Sequence, residues 1–93
     1  MKTVKEILMD QQTTIIDVRN DWEFEAGHVE GALNIAVHDL PAQLDMLRTL
    51  EGPIVVYCQS GGRSGMAQQF LQQHGFTDVY NGGGIGQMRI LTL

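Results

Sequence analysis

Apolar residues in this chain fall into short runs separated by polar, glycine-marked breaks, and successive runs switch between helical and strand-like spacing. Val4, Ile7 and Leu8 recur at helical spacing and predict a short amphipathic helix from Val4 to Met9. Thr13 to Val18 (TTIIDV) is β-branched and mostly apolar, as expected of a strand buried on both faces. Asn20 to Ala26 predicts one or two helical turns, with Asn20 or Asp21 as N-cap and Gly27 as the stop. Ala32 to Ala36 predicts a short second strand. Asp39 is suited to cap a helix with Pro41 in its first turn and Leu40, Leu44, Leu47 and Leu50 on one face, ended by Gly52-Pro53.

Ile54 to Tyr57 (IVVY) is the strongest strand signal. A loop is expected over Cys58 to Gly62, then a helix over Arg63 to His74 with Met66, Ala67, Phe70 and Leu71 inward and Gly75 as its stop. Val79-Tyr80 reads as a last short strand, Gly82-Gly83-Gly84 as a turn, and Ile85 to Leu93 as a tail. Strand and helix alternate at short spacing, which predicts one α/β domain over residues 1–93 with a mainly parallel sheet. In such folds ligands bind outside the carboxyl ends of the strands, and Cys58 lies at that edge.

Composition narrows the chemistry. The 93 residues carry a net charge of −5 and no cluster of cations, which disfavours nucleic acid or an anionic membrane as partner. The single cysteine makes no internal disulfide, and neither a signal sequence nor a run of about 18 apolar residues is evident. The expectation is a monomer of the reducing cytoplasm. An acidic protein that binds an anion must do so locally, with backbone dipoles and one or two arginines.

Cys58-Gln59-Ser60-Gly61-Gly62-Arg63-Ser64 supplies that locality. Two glycines let consecutive N–H groups converge on one point, and the following helix aims its unpaired N–H groups and positive dipole end there. A thiol in that position should have its pKa lowered, because the cradle stabilises the thiolate. Arg63 and the Ser60 and Ser64 hydroxyls would add charge-assisted contacts to a bound anion. Cysteine-dependent phosphatases place one more residue between Cys and Arg than the four (Gln59, Ser60, Gly61, Gly62) found here. The smaller ring suits a sulfur atom on Cys58 better than a phosphoryl group.

The loop resembles the active-site loop of the rhodanese family of sulfurtransferases. Asp17-Val18-Arg19, Glu23-Phe24, Gly27-His28-Val29 and Gly31-Ala32-Leu33-Asn34-Ile35 resemble that family's amino-terminal signature in order and spacing. The resemblance implies a five-stranded, mainly parallel sheet flanked by helices on both faces. It also implies a Cys58 persulfide, formed from thiosulfate or a similar donor and passed to cyanide, a thiol or a protein acceptor. No metal or organic cofactor is implied. Cys58 takes the catalytic role, and the backbone from Gln59 to Ser64, with the Arg63 side chain, the anion-binding one. Met88 stands near where relatives often carry a tryptophan. A persulfide-carrying module for a partner protein and a small-loop phosphatase or arsenate-type reductase are the alternatives.

Elsewhere the residues read as structural. Asp17 and Arg19 are expected to pair at a strand end, and the His28 ring to bond nearby backbone. His38 and His74 read as surface residues, and no histidine shares metal-ligand spacing with Cys58. Met9, Met46, Met66 and Met88 read as scattered gap-fillers, and Trp22 as partly buried.

Overall fold

The fold is organised by runs of β-branched residues that pair in parallel. The computed structural model describes residues 2–93. Its sheet comprises β1 (Thr14–Asp17), β2 (Leu33–Asn34), β3 (Ile54–Cys58) and β4 (Val79–Gly84), in the order β2-β1-β3-β4 with every neighbouring pair parallel. The central strands are the most apolar, and β3 is buried along its whole length. Helices α1 (Val4–Leu8), α2 (Asp21–Glu25), α3 (Leu44–Leu47), α4 (Gly62–Gln73) and α5 (Ile85–Leu91) complete the chain, with a 3-10 segment over Val37–Gln43 leading into α3.

The period-two alternation of strand side chains divides the core. Ile16, Ile54, Val56 and Cys58 face one side, where they meet Leu40, Leu47, Ala67 and Leu71 from the 3-10 segment, α3 and α4. Val55 and Tyr57 face the other, where they meet Ile7 of α1 and Ile85 and Met88 of α5. The α/β class with helices on both faces therefore holds.

Four strands, rather than five, are present among the described residues. The four are the segments with strand-like patterning, and the fifth was implied by the resemblance alone. The first apolar segment is the helix its spacing predicts, with Thr3 and Glu6 forming a capping box at its start. Glu6 N–H donates to Thr3 Oγ1 at 3.2 Å, and Thr3 N–H donates to Glu6 Oε1 at 2.9 Å. Pro41, which lacks an N–H, lies inside the helical region after Ala36, and regular α-helix starts only at Leu44. The three glycines expected to form a turn instead extend β4. Its register slips between the partners of Val56 and Tyr57, so Gly82 is bulged out between Asn81 and Gly83, and Gly83 takes a φ of 85°. The tail beyond it folds as α5. Of the methionines read as gap-fillers, only Met88 is buried; Met9, Met46 and Met66 are exposed. Trp22 is 67 % exposed and not partly buried, because α2 turns its indole outward and buries none of its residues fully.

One ion pair ties the small helix α2 to α4. Arg63 donates to Glu23 through both terminal nitrogens, at 2.7 Å to Oε1 and 3.0 Å to Oε2. The Arg63 hydrogen bonds hold the Glu23 carboxyl down at about 2 against the opposing effect of burial.

Two stability predictions follow from this packing. Leu71→Ala, at a position with no exposure, should cost about 2–5 kcal/mol in urea unfolding. Glu23→Gln should cost about 0.5–1 kcal/mol at pH 7, since solvent reaching the guanidinium screens the pair. A depressed carboxyl pKa stabilises the fold above its unfolded value. The gap between Glu23→Gln and the parent should therefore narrow as pH falls from 4.5 towards 2, measured by urea midpoints across that window.

Candidate active site

Strand β3 delivers Cys58 to the carboxyl edge of the sheet on the α4 face, where the backbone reverses before the helix begins. The reversal needs Gly61, which has φ 99° and serves as N-cap of α4. This geometry folds the loop over the sulfur. Gly61 N–H donates to Cys58 Sγ at 3.0 Å and Ser64 N–H at 3.4 Å, while Ser64 Oγ stands 3.4 Å from the same atom. Cys58 is 1 % exposed.

Two opposing effects act on the thiol. Burial raises its pKa, and hydrogen bonds from the Ser64 hydroxyl and the Ser64, Ser60 and Gly61 N–H groups lower it. The hydrogen bonds win, and the thiol is held below its ordinary value. The twelve-residue α4 adds its positive dipole end on the same side.

The other loop residues divide by where they point. Gln59 and Ser60 are exposed, and Gln59 Oε1 accepts from Arg19 Nη1 at 3.3 Å. Gly62 opens α4 and is also exposed. Ser64 is buried against the sulfur. The Arg63 guanidinium is turned towards α2, where both terminal nitrogens are taken by Glu23. The loop backbone and Ser64 thus converge on Cys58, whereas Arg63 directs one N–H of each terminal nitrogen to Glu23.

Beneath the loop lies a buried pair. Arg19 Nη2 meets Asp17 Oδ2 at 2.7 Å, and the Arg19 guanidinium also donates to the Gly27 carbonyl at 2.7 Å and stands 5.8 Å from the centre of the Tyr57 ring. Burial, the largest influence, pushes the Tyr57 hydroxyl up to about 12. The pair is structural, as its strand-end position suggests. His28 Nδ1 lies 2.8 Å from the Phe24 carbonyl with its ring stacked on Phe24, and His38 and His74 are at the surface. Among the described residues no three His, Cys, Asp or Glu side chains are placed to hold a metal ion.

Three contributors were not singled out from the sequence. Glu23 was visible only as part of a signature, and its partner lies 40 residues away. Gly84 sits so close to the loop that a Cβ there would lie 2.6 Å from the Gln59 carbonyl oxygen, which makes the β4 backbone the floor of the loop. Asn81 accepts a hydrogen bond from Ser64 Oγ at 2.7 Å. Its only sequence signal is an amide in an otherwise apolar or glycine strand. A cleft of about 430 Å³ opens beside Trp22, Asn34 and Asp39, but Cys58 does not line it.

Comparison with known proteins agrees with this architecture. Residues 1–85 match the family described as Rhodanese-like domain. Among named relatives, the uncharacterized protein YqhL of Bacillus subtilis (strain 168) is 42 % identical over 71 residues, covering 76 % of this chain and 56 % of that protein. The tRNA uridine(34) hydroxylase of Salmonella newport (strain SL254) is 39 % identical over 83 residues, covering 84 % of this chain and 24 % of the hydroxylase. The chain therefore spans about half of one relative and about a quarter of the other. Among solved structures, a rhodanese with anions from E. coli superposes with a TM-score of 0.74 at 32 % identity, covering 81 % of this chain and 89 % of that one. A human single-domain sulfurtransferase, TSTD1, superposes with a TM-score of 0.67 at 31 % identity, covering 89 % and 83 %. With its fold, its cysteine loop and the match over residues 1–85 in agreement, the chain belongs to the Rhodanese-like domain family.

Proposed function

We propose that this domain is a sulfurtransferase that moves a sulfane sulfur through a persulfide on Cys58. The observation that carries this reading is the convergence of the Gly61 and Ser64 N–H groups and the Ser64 hydroxyl on one buried sulfur. With thiosulfate as donor, the Cys58 thiolate attacks the outer sulfur, the S–S bond of thiosulfate breaks, and sulfite leaves with the electron pair. The charge then resides on the outer sulfur of the persulfide, next to the α4 N-terminus. Cyanide or a thiolate attacks that sulfur, takes it as thiocyanate or a new persulfide, and returns the thiolate to Cys58.

The donor is a sulfane compound such as thiosulfate, and the acceptor is cyanide, a small thiol or a protein thiol. The domain acts as a monomer in the cytoplasm, with no nucleic acid, membrane, metal or organic cofactor in the reaction. Two observations support a second reading, a persulfide carrier that serves a further domain or a partner protein. The chain spans about a quarter of the hydroxylase relative, and Cys58 does not line the cleft beside Trp22. Phosphatase chemistry is disfavoured because the loop is one residue shorter between Cys58 and Arg63 than a phosphatase loop.

Incubation with thiosulfate followed by intact-mass measurement should show a gain of one sulfur atom, absent in Cys58→Ala. No adduct at any donor concentration sinks both the transferase and the carrier. Steady thiocyanate formation when cyanide is added then separates the transferase from the carrier. Alkylation by iodoacetamide should titrate below about 8.5, the value of a free thiol. Since the thiol pKa is lowered on folding, the fold should gain stability above the unfolded thiol value and lose that gain as pH falls through the folded one. Gly84→Ala, which pushes on the Gln59 carbonyl, should lower sulfur loading of Cys58 at least about tenfold, read as the initial rate of persulfide formation.

A further inference from the structure

The Ser64 hydroxyl has one hydrogen and three acceptors within reach. Asn81 Oδ1 is 2.7 Å away, the Gly61 carbonyl 3.1 Å and Cys58 Sγ 3.4 Å. Ser64 has no solvent exposure, so water does not compete for that hydrogen. The amide of Asn81 is oriented without ambiguity. Its oxygen accepts from Gly83 N–H at 2.9 Å, and its nitrogen faces the Gly61 carbonyl at 3.4 Å, a group that can only accept. The bulge at Gly82 and the left-handed turn at Gly83 bring that N–H round to the amide oxygen.

We propose that Asn81 is a positioning residue that competes with Cys58 for the single hydroxyl hydrogen of Ser64. This rests on the reading of Cys58 as a thiolate nucleophile. With Cys58 as a thiol, S–H donates to Ser64 Oγ and the hydroxyl donates to Asn81. With Cys58 as a thiolate, the hydroxyl turns to the sulfur, and Asn81 Oδ1 keeps only the Gly83 N–H. When a persulfide forms, the charge moves to the outer sulfur, Sγ becomes a weak acceptor, and the hydrogen returns to Asn81. The hydroxyl follows the charge, and Asn81 sets how readily it leaves. Asn81 makes no hydrogen bond to the sulfur, and its link to Cys58 runs through Ser64.

The ionisable groups around Cys58 are the same in each state. Arg63 on α4 is paired with Glu23 of α2, and Asp17 on β1 is paired with Arg19. On β4 the one ionisable side chain, Tyr80, packs with the opposite cluster. An uncharged substitution at Asn81 therefore changes the hydroxyl's choice and no fixed charge.

The test is the pH dependence of iodoacetamide alkylation in five proteins: the parent, Asn81→Ala, Asn81→Asp, Ser64→Ala and the double variant Ser64→Ala/Asn81→Ala. Asn81→Ala should move the apparent thiol pKa down by about 0.5–1 unit, and Ser64→Ala should move it up by a similar amount. In the Ser64→Ala background, Asn81→Ala should produce no further shift. Asn81→Asp keeps the acceptor, adds charge and should move the value up, by less once Ser64 is removed. A shift of equal size in both backgrounds, no shift, or a shift in the opposite direction overturns the proposal. If Asn81→Ala does not fold, the two-background comparison with Asn81→Asp decides. Alkylation needs no sulfur donor, so persulfide formation without these shifts refutes the relay and not the persulfide readings, and the shifts without persulfide refute the transferase and carrier readings and not the relay.

Discussion

Asp17 and Arg19 are both buried at the end of β1, and each is there only because of the other. A buried charge left without its partner is strongly unfavourable, so the pair fixes its own geometry and whatever else bonds to it. Arg19 reaches the Gly27 carbonyl beyond α2 and the Gln59 side chain in the cysteine loop. Asn34 on β2 donates to the carbonyls of both Asp17 and Arg19. One ion pair therefore locks the ends of β1 and β2, the α2 segment and the loop after β3 to a common centre. The two sequence signatures, far apart along the chain, meet at this pair.

On that frame the loop solves a problem of competing terms. Cys58 is buried, and burial disfavours its thiolate. Backbone N–H groups resolve the conflict because they are neutral, already ordered, and cost no side-chain entropy to aim. Gly61 allows the reversal and Gly84 allows the close approach beneath it. Side chains of the loop then serve other ends: Arg63 braces α2, and Ser64 connects the sulfur to β4.

Much of this was legible in the sequence because its causes are local. TTIIDV and IVVY are strands by composition and are the two central strands, and the Gly-rich junction before Arg63 marks both a helix start and the N–H groups that converge on the sulfur. What escaped reading depends on contacts between distant residues or on small backbone departures. The pairing of Arg63 with Glu23, 40 residues away, has no local sign. The three glycines near the end looked like a turn, whereas pairing with β3 draws them into a bulged strand that places Asn81 beside Ser64. The fifth strand, implied by the resemblance alone, has no counterpart among the described residues, where the four segments with strand-like patterning pair. Trp22 looked half-buried by type, but nothing in a five-residue helix covers it.

A cradle built from peptide N–H groups has a further property. Peptide dipoles do not titrate, and the guanidinium of Arg63 stays charged throughout the range in which proteins are folded. The Glu23 carboxyl loses its proton at about 2, and the Tyr57 hydroxyl keeps its own up to about 12. Of these groups, only the thiol changes charge between those limits. Between those limits the peptide cradle, Arg63, Glu23 and Tyr57 hold one fixed pattern of charge, so none of them switches the loop on or off as pH changes.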